Sequence, residues 1–290
     1  MRDNRLSNAR NLKNDEFYTL IEDVEREVGF YRDSFRGSVV LCNCNDSEDS
    51  AFWRYFCNQF RQLELRKVIA ITYIRDGRGQ KIVFDGNNGI EKTELPGNGD
   101  FRSQGCIEIL KEADIVCTNP PFSLFRSYVA QLVEYKKKFL VIGNKNALTY
   151  KSIFPLIKDN KLWLGCSNPN KFVSAEGITR KVEGLCRWFT NLENTKCQEK
   201  LVLKEKYIPE RYSKYNNYDA INVNKVLEIP IDYYGVMGVP VTFLDKYNPE
   251  QFEIIGHEHD INGNGGEGIK EGQFEINGKG IYKRILIRRK

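Results

Sequence analysis

The stretch "CTNPPFSLF" (residues 117–125) sets an asparagine, two prolines and a phenylalanine in a row: Asn119, Pro120, Pro121 and Phe122. Proline fixes φ and lacks the backbone N–H, and it pushes the residue before it toward extended geometry. The result is a stiff segment whose carbonyl oxygens have no neighbouring donor to satisfy. Asn119 adds a side-chain acceptor and Phe122 a flat apolar face. Two acceptors at one edge and a ring at the face make a receptor for a planar amine, and the exocyclic amine of adenine fits it. Accepting both of its N–H bonds favours a tetrahedral nitrogen with a usable lone pair, which a methyl sulfonium cofactor could then methylate. The protein's part in such a reaction is orientation and electrostatics. It needs neither a histidine base nor a metal.

The elements that must hold this motif can be read from apolar patterning. Residues 38–43 ("SVVLCN"), 67–73 ("KVIAITY"), 114–119 ("DIVCTN") and 138–144 ("KFLVIGN") read as buried strands, with "KLWLG" as a fifth. Between them, "AFWRYFCNQFRQLEL", "GCIEILKEA" and "FSLFRSYVAQLVEYKKK" carry apolar residues at helical spacing. "RDGRGQKIVFDGNNG" reads as a hairpin or loop excursion. This alternation predicts an α/β, Rossmann-like fold: a mostly parallel sheet with helices on both faces. Ligands in such sheets bind outside the carboxyl ends of the strands. "LCNCND" and "CTNPPF" both fall there, so they are expected to line one crevice.

Composition narrows the classes. The chain has 290 residues, 41% hydrophobic and 29% charged, an ordinary globular balance. No apolar run approaches the roughly 18 residues of a membrane span, and the start lacks the apolar stretch of a secretory signal, so a cytoplasmic protein is expected. Eight cysteines are expected to be reduced, several serving as small hydrophobes in strands and helices. No metal site is expected, since no Cys/His set has ligand spacing and His257 and His259 sit in a Gly-rich region. The net charge of +5 permits nucleic acid as a partner, and Arg2, Arg5, Arg10 and Lys13 form a basic arm suited to phosphates. Three regions are expected: a flexible basic arm over 1–13, a cofactor-binding and catalytic core over 14–165, and a target-recognition region over 166–290 that also completes the core.

At these residues the chain resembles the N6-adenine DNA methyltransferases, and among them the EcoRI-type modification methylases. The resemblance rests on "TNPPFSLF", "NDEFYT" (14–19), "VVLCNCND", "GDFRS" (99–103), "KKFLVIGNKNALTYK", "YNNYDAINVNK" and "YGVMGVPVTFLDKYNPEQFEII". It covers most of the chain, thinning between Cys166 and Tyr212. The resemblance implies S-adenosylmethionine as cofactor, duplex DNA as substrate, a monomer, and a cognate restriction endonuclease acting on the same site. It gives cofactor contacts to Phe17, Tyr18 and Thr19, and to Asp100 and Phe101 of the acidic loop. It gives the amine-holding role to Asn119, Pro120, Pro121 and Phe122. After the first strand, Cys42, Asn43, Cys44, Asn45 and Asp46 replace the usual Gly-rich turn. The ribose-binding group at the second strand's end stays open between Tyr73 and Asp76. Arg180, Lys181, Arg187 and Trp188 have the chemistry of base readers, but ordinary surface charge and a core tryptophan explain them better, so they are not counted among the site residues. Methyl transfer to RNA adenine or a protein glutamine, and a DNA-binding relative without catalysis, remain as alternatives.

Overall fold

The computed structural model describes residues 18–43, 48–173, 179–181, 184–193, 199–258 and 272–290. Two compact units make it up: Met1–Ile153 with Leu162–Asn194, and Phe154–Lys161 with Thr195–Lys290. No helix of the described residues is long and apolar enough to cross a membrane.

The first unit opens with a two-residue strand, β1 (Tyr18–Thr19), and α1 (Ile21–Val28), which buries Val24 and Val28 one turn apart. A short α2 (Arg32–Phe35) leads into β2 (Val39–Cys42), whose four residues are all buried. That is what a strand covered on both faces requires. Next comes α3 (Ala51–Asn58), capped where Ser50 accepts from the Trp53 N–H. The apolar pattern suggested a longer helix, but the chain turns at 59–64 and Glu64 takes a left-handed φ of 51° before the next strand. Then follow β3 (Lys67–Thr72), the hairpin strands β4 (Gln80–Phe84) and β5 (Ile90–Glu94), α4 (Gln104–Glu112), β6 (Ile115–Thr118), α5 (Phe125–Glu134) and β7 (Lys138–Asn144). The second unit takes up α6 (Phe154–Lys158). Back in the first unit lie β8 (Trp163–Leu164), β9 (Lys171–Val173), β10 (Thr179–Lys181) and β11 (Cys186–Thr190).

Eight of these strands form one sheet in the order β5-β4-β3-β2-β6-β7-β11-β8. The α/β architecture is as expected, with the parallel pairing confined to the four central strands, β3, β2, β6 and β7. β4 and β5 on one side and β11 and β8 on the other run antiparallel, the first two because only short connections, 73–79 and 85–89, join β3 to β4 and β4 to β5. A parallel return needs a crossover of about a dozen residues or more. Alternate residues Val40, Cys42, Val68, Ala70, Ile115, Cys117, Leu140 and Ile142 share one core with Val24 and Val28 of α1 and Phe52 and Phe56 of α3. On the opposite face Phe125 of α5 packs on Phe189, ring centroids 5.0 Å apart. Both faces therefore carry helices. The described cysteines form no disulfide, and burial pushes the Cys57 and Cys186 thiols up to about 12.

In the second unit β12 (Ile221–Asn222), β13 (Met237–Pro240), β14 (Phe252–His257) and β17 (Arg284–Arg289) form a sheet in the order β12-β13-β17-β14. β15 (Phe274–Ile276) and β16 (Lys279–Ile281) make a hairpin. Tyr215, Ala220, Phe274 and Leu286 form its separate core. His257 is buried against the Phe154 ring at 4.2 Å.

The Phe125–Phe189 contact depends on Gly143 of β7, where a Cβ would stand 2.5 Å from the Phe125 ring and 2.9 Å from the Phe189 ring. Gly143→Ala should therefore destabilise the protein by about 1–3 kcal/mol through overpacking. Urea titration checks this, and an unchanged midpoint would show that α5 is not seated on the sheet as described.

Candidate active site at the carboxyl edge of the sheet

The chain leaves β2 through α3 to reach β3 on one side, then returns through β4, β5 and α4 to β6 on the other side. The carboxyl ends of β2 and β6 thus flank the topological switch point, where open α/β sheets bind ligands. Parallel pairing sets Val40 beside Ile115 and Leu41 beside Val116, so Asn43 and Thr118 end side by side. Thr118 Oγ1 donates to the Asn43 carbonyl, and Tyr128 Oη of α5 donates to Asn43 Oδ1. Asn43 is 3% exposed. Its two oxygens are thus tied to β6 and α5, which fixes the first residue of the glycine-free loop.

Beyond Thr118 the motif runs extended, with Pro121 at φ −55° and ψ 128°. Residues 122–124 then make a 3-10 turn in which the Leu124 N–H donates to the Pro121 carbonyl at 2.9 Å. The turn consumes the Pro121 carbonyl rather than that of Pro120, the one assigned to the amine. Pro120 is buried and Asn119 half-buried, its Oδ1 enclosed. Half-buried Phe122 leans on buried Phe172, ring centroids 6.4 Å apart and tilted by 48°.

The acidic loop reaches the same edge from β3. Gly99 has φ +84°, and a Cβ there would stand 2.1 Å from the Thr72 carbonyl oxygen. Only glycine allows that approach. The Ile74 N–H donates to the Asn98 carbonyl at 2.9 Å, seating the loop on the carboxyl end of β3. Asp100 accepts from Arg102 Nε at 2.9 Å and Nη2 at 2.6 Å. These hydrogen bonds hold its carboxyl below the usual carboxylate range against partial burial. An anion is therefore kept at the position that the resemblance assigns to the cofactor, with part of its capacity spent on Arg102. Tyr73 and Asp76 are both exposed. Phe101 is buried, edge-on to Tyr128 at 5.0 Å and 79°, and its carbonyl accepts from Gln131 Nε2 at 3.1 Å. One face of α5 therefore touches both the acidic loop and Asn43, while its start adjoins the motif.

Thr19 sits on β1, which pairs antiparallel with β9: Tyr18 faces Val173 and Thr19 faces Phe172. This segment reads locally as a helix start, but its partner strand lies far along the chain and leaves no local signal. Thr19 Oγ1 is buried and makes no hydrogen bond among the described residues. A bound water or polar ligand would satisfy such a hydroxyl. Phe17, Cys44, Asn45, Asp46 and the basic arm over 1–13 lie outside the described residues.

Two carboxylates escaped the sequence reading. Glu27, fully buried, accepts from Tyr31 Oη at 2.9 Å, Cys166 N at 2.8 Å, and Ser167 N and Oγ, each at 2.6 Å. Asp23, one turn earlier, accepts from Arg26 and from Asn170 N, the latter at 3.0 Å. Together they anchor residues 166–170, from which β9 reaches β1. Two acids on the same α1 face as Val24 and Val28 were the available signal. Among the suggested base readers, Trp188 is fully buried and edge-on to Phe52 at 6.0 Å, so it belongs to the core. Arg187 is buried with Nη1 donating to the Cys186 carbonyl at 2.9 Å, whereas Lys181 is exposed.

A parallel switch point, a rigid Asn-Pro-Pro-Phe at one strand end and an anionic loop two strands away share one edge of the sheet, the arrangement that an α/β site for methylating a planar amine would need. Comparison with known proteins agrees. The model of the family described as adenine-specific methyltransferase EcoRI matches residues 5–290. The chain is 42% identical to the type II methyltransferase M.EcoRI of Escherichia coli, covering 98% of this chain and 96% of that one. It is 44% identical to the type II methyltransferase M.MpnI of Mycoplasma pneumoniae, covering 85% and 83% of the two chains. M.MgeORF184P of Mycoplasma genitalium is 39% identical, with 97% of each covered. The chain belongs to the EcoRI family of adenine-specific methyltransferases and is a DNA adenine methyltransferase.

Tyr128→Phe removes the bond that ties Asn43 to α5 while keeping the ring against Phe101. A neutral hydrogen bond is worth about 0.5–1.5 kcal/mol, so the KM for the methyl donor should rise roughly three- to tenfold, with kcat changing less. Val129→Ala, which opens a cavity on the same helix, should lower the melting temperature and leave that KM unchanged. Parallel behaviour of the two variants would make Tyr128 a packing residue only.

Proposed function

We propose that the protein transfers the methyl group of S-adenosylmethionine to N6 of an adenine flipped out of duplex DNA. The observation that carries this reading is the Asn119–Phe122 motif at the switch point, bound through Asn43 and α5 to the acidic loop. The residues present suit the cofactor. Thr19 Oγ1 is a buried polar atom awaiting a partner. Asp100 is an anion at the carboxyl end of β3, suited to an amine or hydroxyl donor. Phe101 supplies an apolar wall, Cys42 is enclosed in the core beneath the loop, and by resemblance Phe17, Tyr18 and residues 43–46 complete the site. When bound, the cofactor supplies an electrophilic methyl group on a sulfonium leaving group.

The remaining work falls to the chain's own groups. Asn119 Oδ1 and the Pro120 carbonyl accept the two N–H bonds of the adenine amine, localising its lone pair toward the methyl carbon. The amine held by Asn119 and Pro120 would shed one proton on gaining the methyl group. An arylammonium is strongly acidic, so water suffices as base. Phe122 offers its face to the extruded base, whose unstacking costs a few kcal/mol. Recognition of the DNA site is assigned to residues 166–290. The protein is proposed to act as a monomer in the cytoplasm, protecting DNA from a restriction endonuclease of the same specificity.

Incubation with methyl-labelled S-adenosylmethionine and duplex DNA, RNA or protein tests the reading. Label should appear in N6-methyldeoxyadenosine from duplex DNA alone; label in RNA or glutamine would overturn it. Stacking on an aromatic ring is worth about 1–3 kcal/mol per base. Phe122→Ala should thus slow methylation at saturating DNA at least tenfold while changing duplex affinity little. Equal rates for variant and parent would remove Phe122 from the base pocket.

A further inference from the structure

Between Asn119 and Lys151 the chain carries Arg126, Lys136, Lys137, Lys138, Lys145 and Lys151 against a single acid, Glu134. Glu134 ends α5 and Lys138 begins β7, so this acid and the three consecutive lysines lie at the amino edge of the sheet. The connections at the carboxyl ends of β6 and β7 are left with Arg126, Lys145, Lys151 and no acid. Arg126 is exposed and is the second residue of α5. Its Cζ lies 4.7 Å from the ring centroid of Tyr150, which closes the turn Lys145–Thr149 after β7. Among the described residues Arg126 forms no ion pair.

An exposed arginine normally samples many rotamers. Stacking on a ring restrains the guanidinium plane and leaves its in-plane N–H fork free to donate. A held fork without an internal acceptor, four residues past Phe122 in a connection that carries no acid, matches the two oxygens of a phosphate. Extruding a base swings its sugar and phosphates, and a fixed phosphate contact beside the pocket is what would hold that rotated backbone.

We propose that Arg126, pinned by Tyr150, is a binding site for a backbone phosphate of the DNA strand that carries the target adenine. The proposal deepens the DNA-methylation reading and rests on it. Its role is to hold the strand, not to recognise sequence.

The test is duplex binding measured by anisotropy across a salt series, together with DNA KM and calorimetric S-adenosylmethionine affinity. Arg126→Ala should lower the slope of log affinity against log salt by about one. It should raise the DNA KM about tenfold or more, with cofactor affinity unchanged. Arg126→Lys keeps the charge, so it should keep the slope while losing affinity. Tyr150→Leu should likewise keep the slope and lose part of the affinity. Arg61→Ala, exposed in the turn before β3 at the amino edge, should match the parent. A parental slope in Arg126→Ala, or an equal loss in Arg61→Ala, would overturn the proposal. If the parent bound DNA but methylated none, the functional reading would fall, and a slope lowered only at Arg126 would still stand as a phosphate contact.

Discussion

The arrangement depends on the parallel pairing of β2 with β6. That pairing places two strand ends with no direct connection side by side, so groups far apart in sequence can act on one ligand. Thr118 and Tyr128 then hold the junction by taking both oxygens of Asn43. Many nucleotide-binding sheets meet this need with glycine, which lets a ligand approach the backbone. Here the loop after β2 begins with a residue held by its neighbours. Its position comes from hydrogen bonds rather than from the absence of a side chain.

Helix α5 spaces the parts of the site. Its start follows the Asn119–Phe122 motif, and Tyr128 and Gln131, one turn apart, touch the β2 end and the acidic loop. Phe125 seats the same helix on the sheet through the space left by Gly143. Methyl transfer requires donor and acceptor held in a near-attack geometry, about 3–3.5 Å apart. A helix contacting all three segments is a stiff way to set that distance. The carboxylates of α1 do a similar service for β9, holding the backbone that brings Phe172 to Phe122 and Thr19.

Much of this was legible in the sequence because it is local. The four central strands announce themselves as apolar runs, and the Pro-Pro pair at the end of one of them marks the edge that matters. What was not legible is long-range. β8 was legible within "KLWLG", but β11 contains buried Arg187 and does not show the pattern of a sheet strand. Tyr18 and Thr19 become a strand only by pairing with residues 172 and 173. Glu27 looks like a solvent-facing acid until the backbone of Cys166 and Ser167 closes over it. The acidic loop stood out only by resemblance, since a Gly-Asn-Gly-Asp turn has many ordinary uses. Its need for glycine appears once Thr72 is seen against Gly99.

The central claim is that three separate segments, at the ends of β2, β3 and β6, line one cofactor site. Amide hydrogen exchange on adding S-adenosylmethionine measures this directly. The account requires added protection in peptides covering 41–43, 99–103 and 117–122 together, with none in the amino-edge turn at 59–66. Protection confined to the amino edge, or restricted to one of the three segments at saturating cofactor, would contradict it.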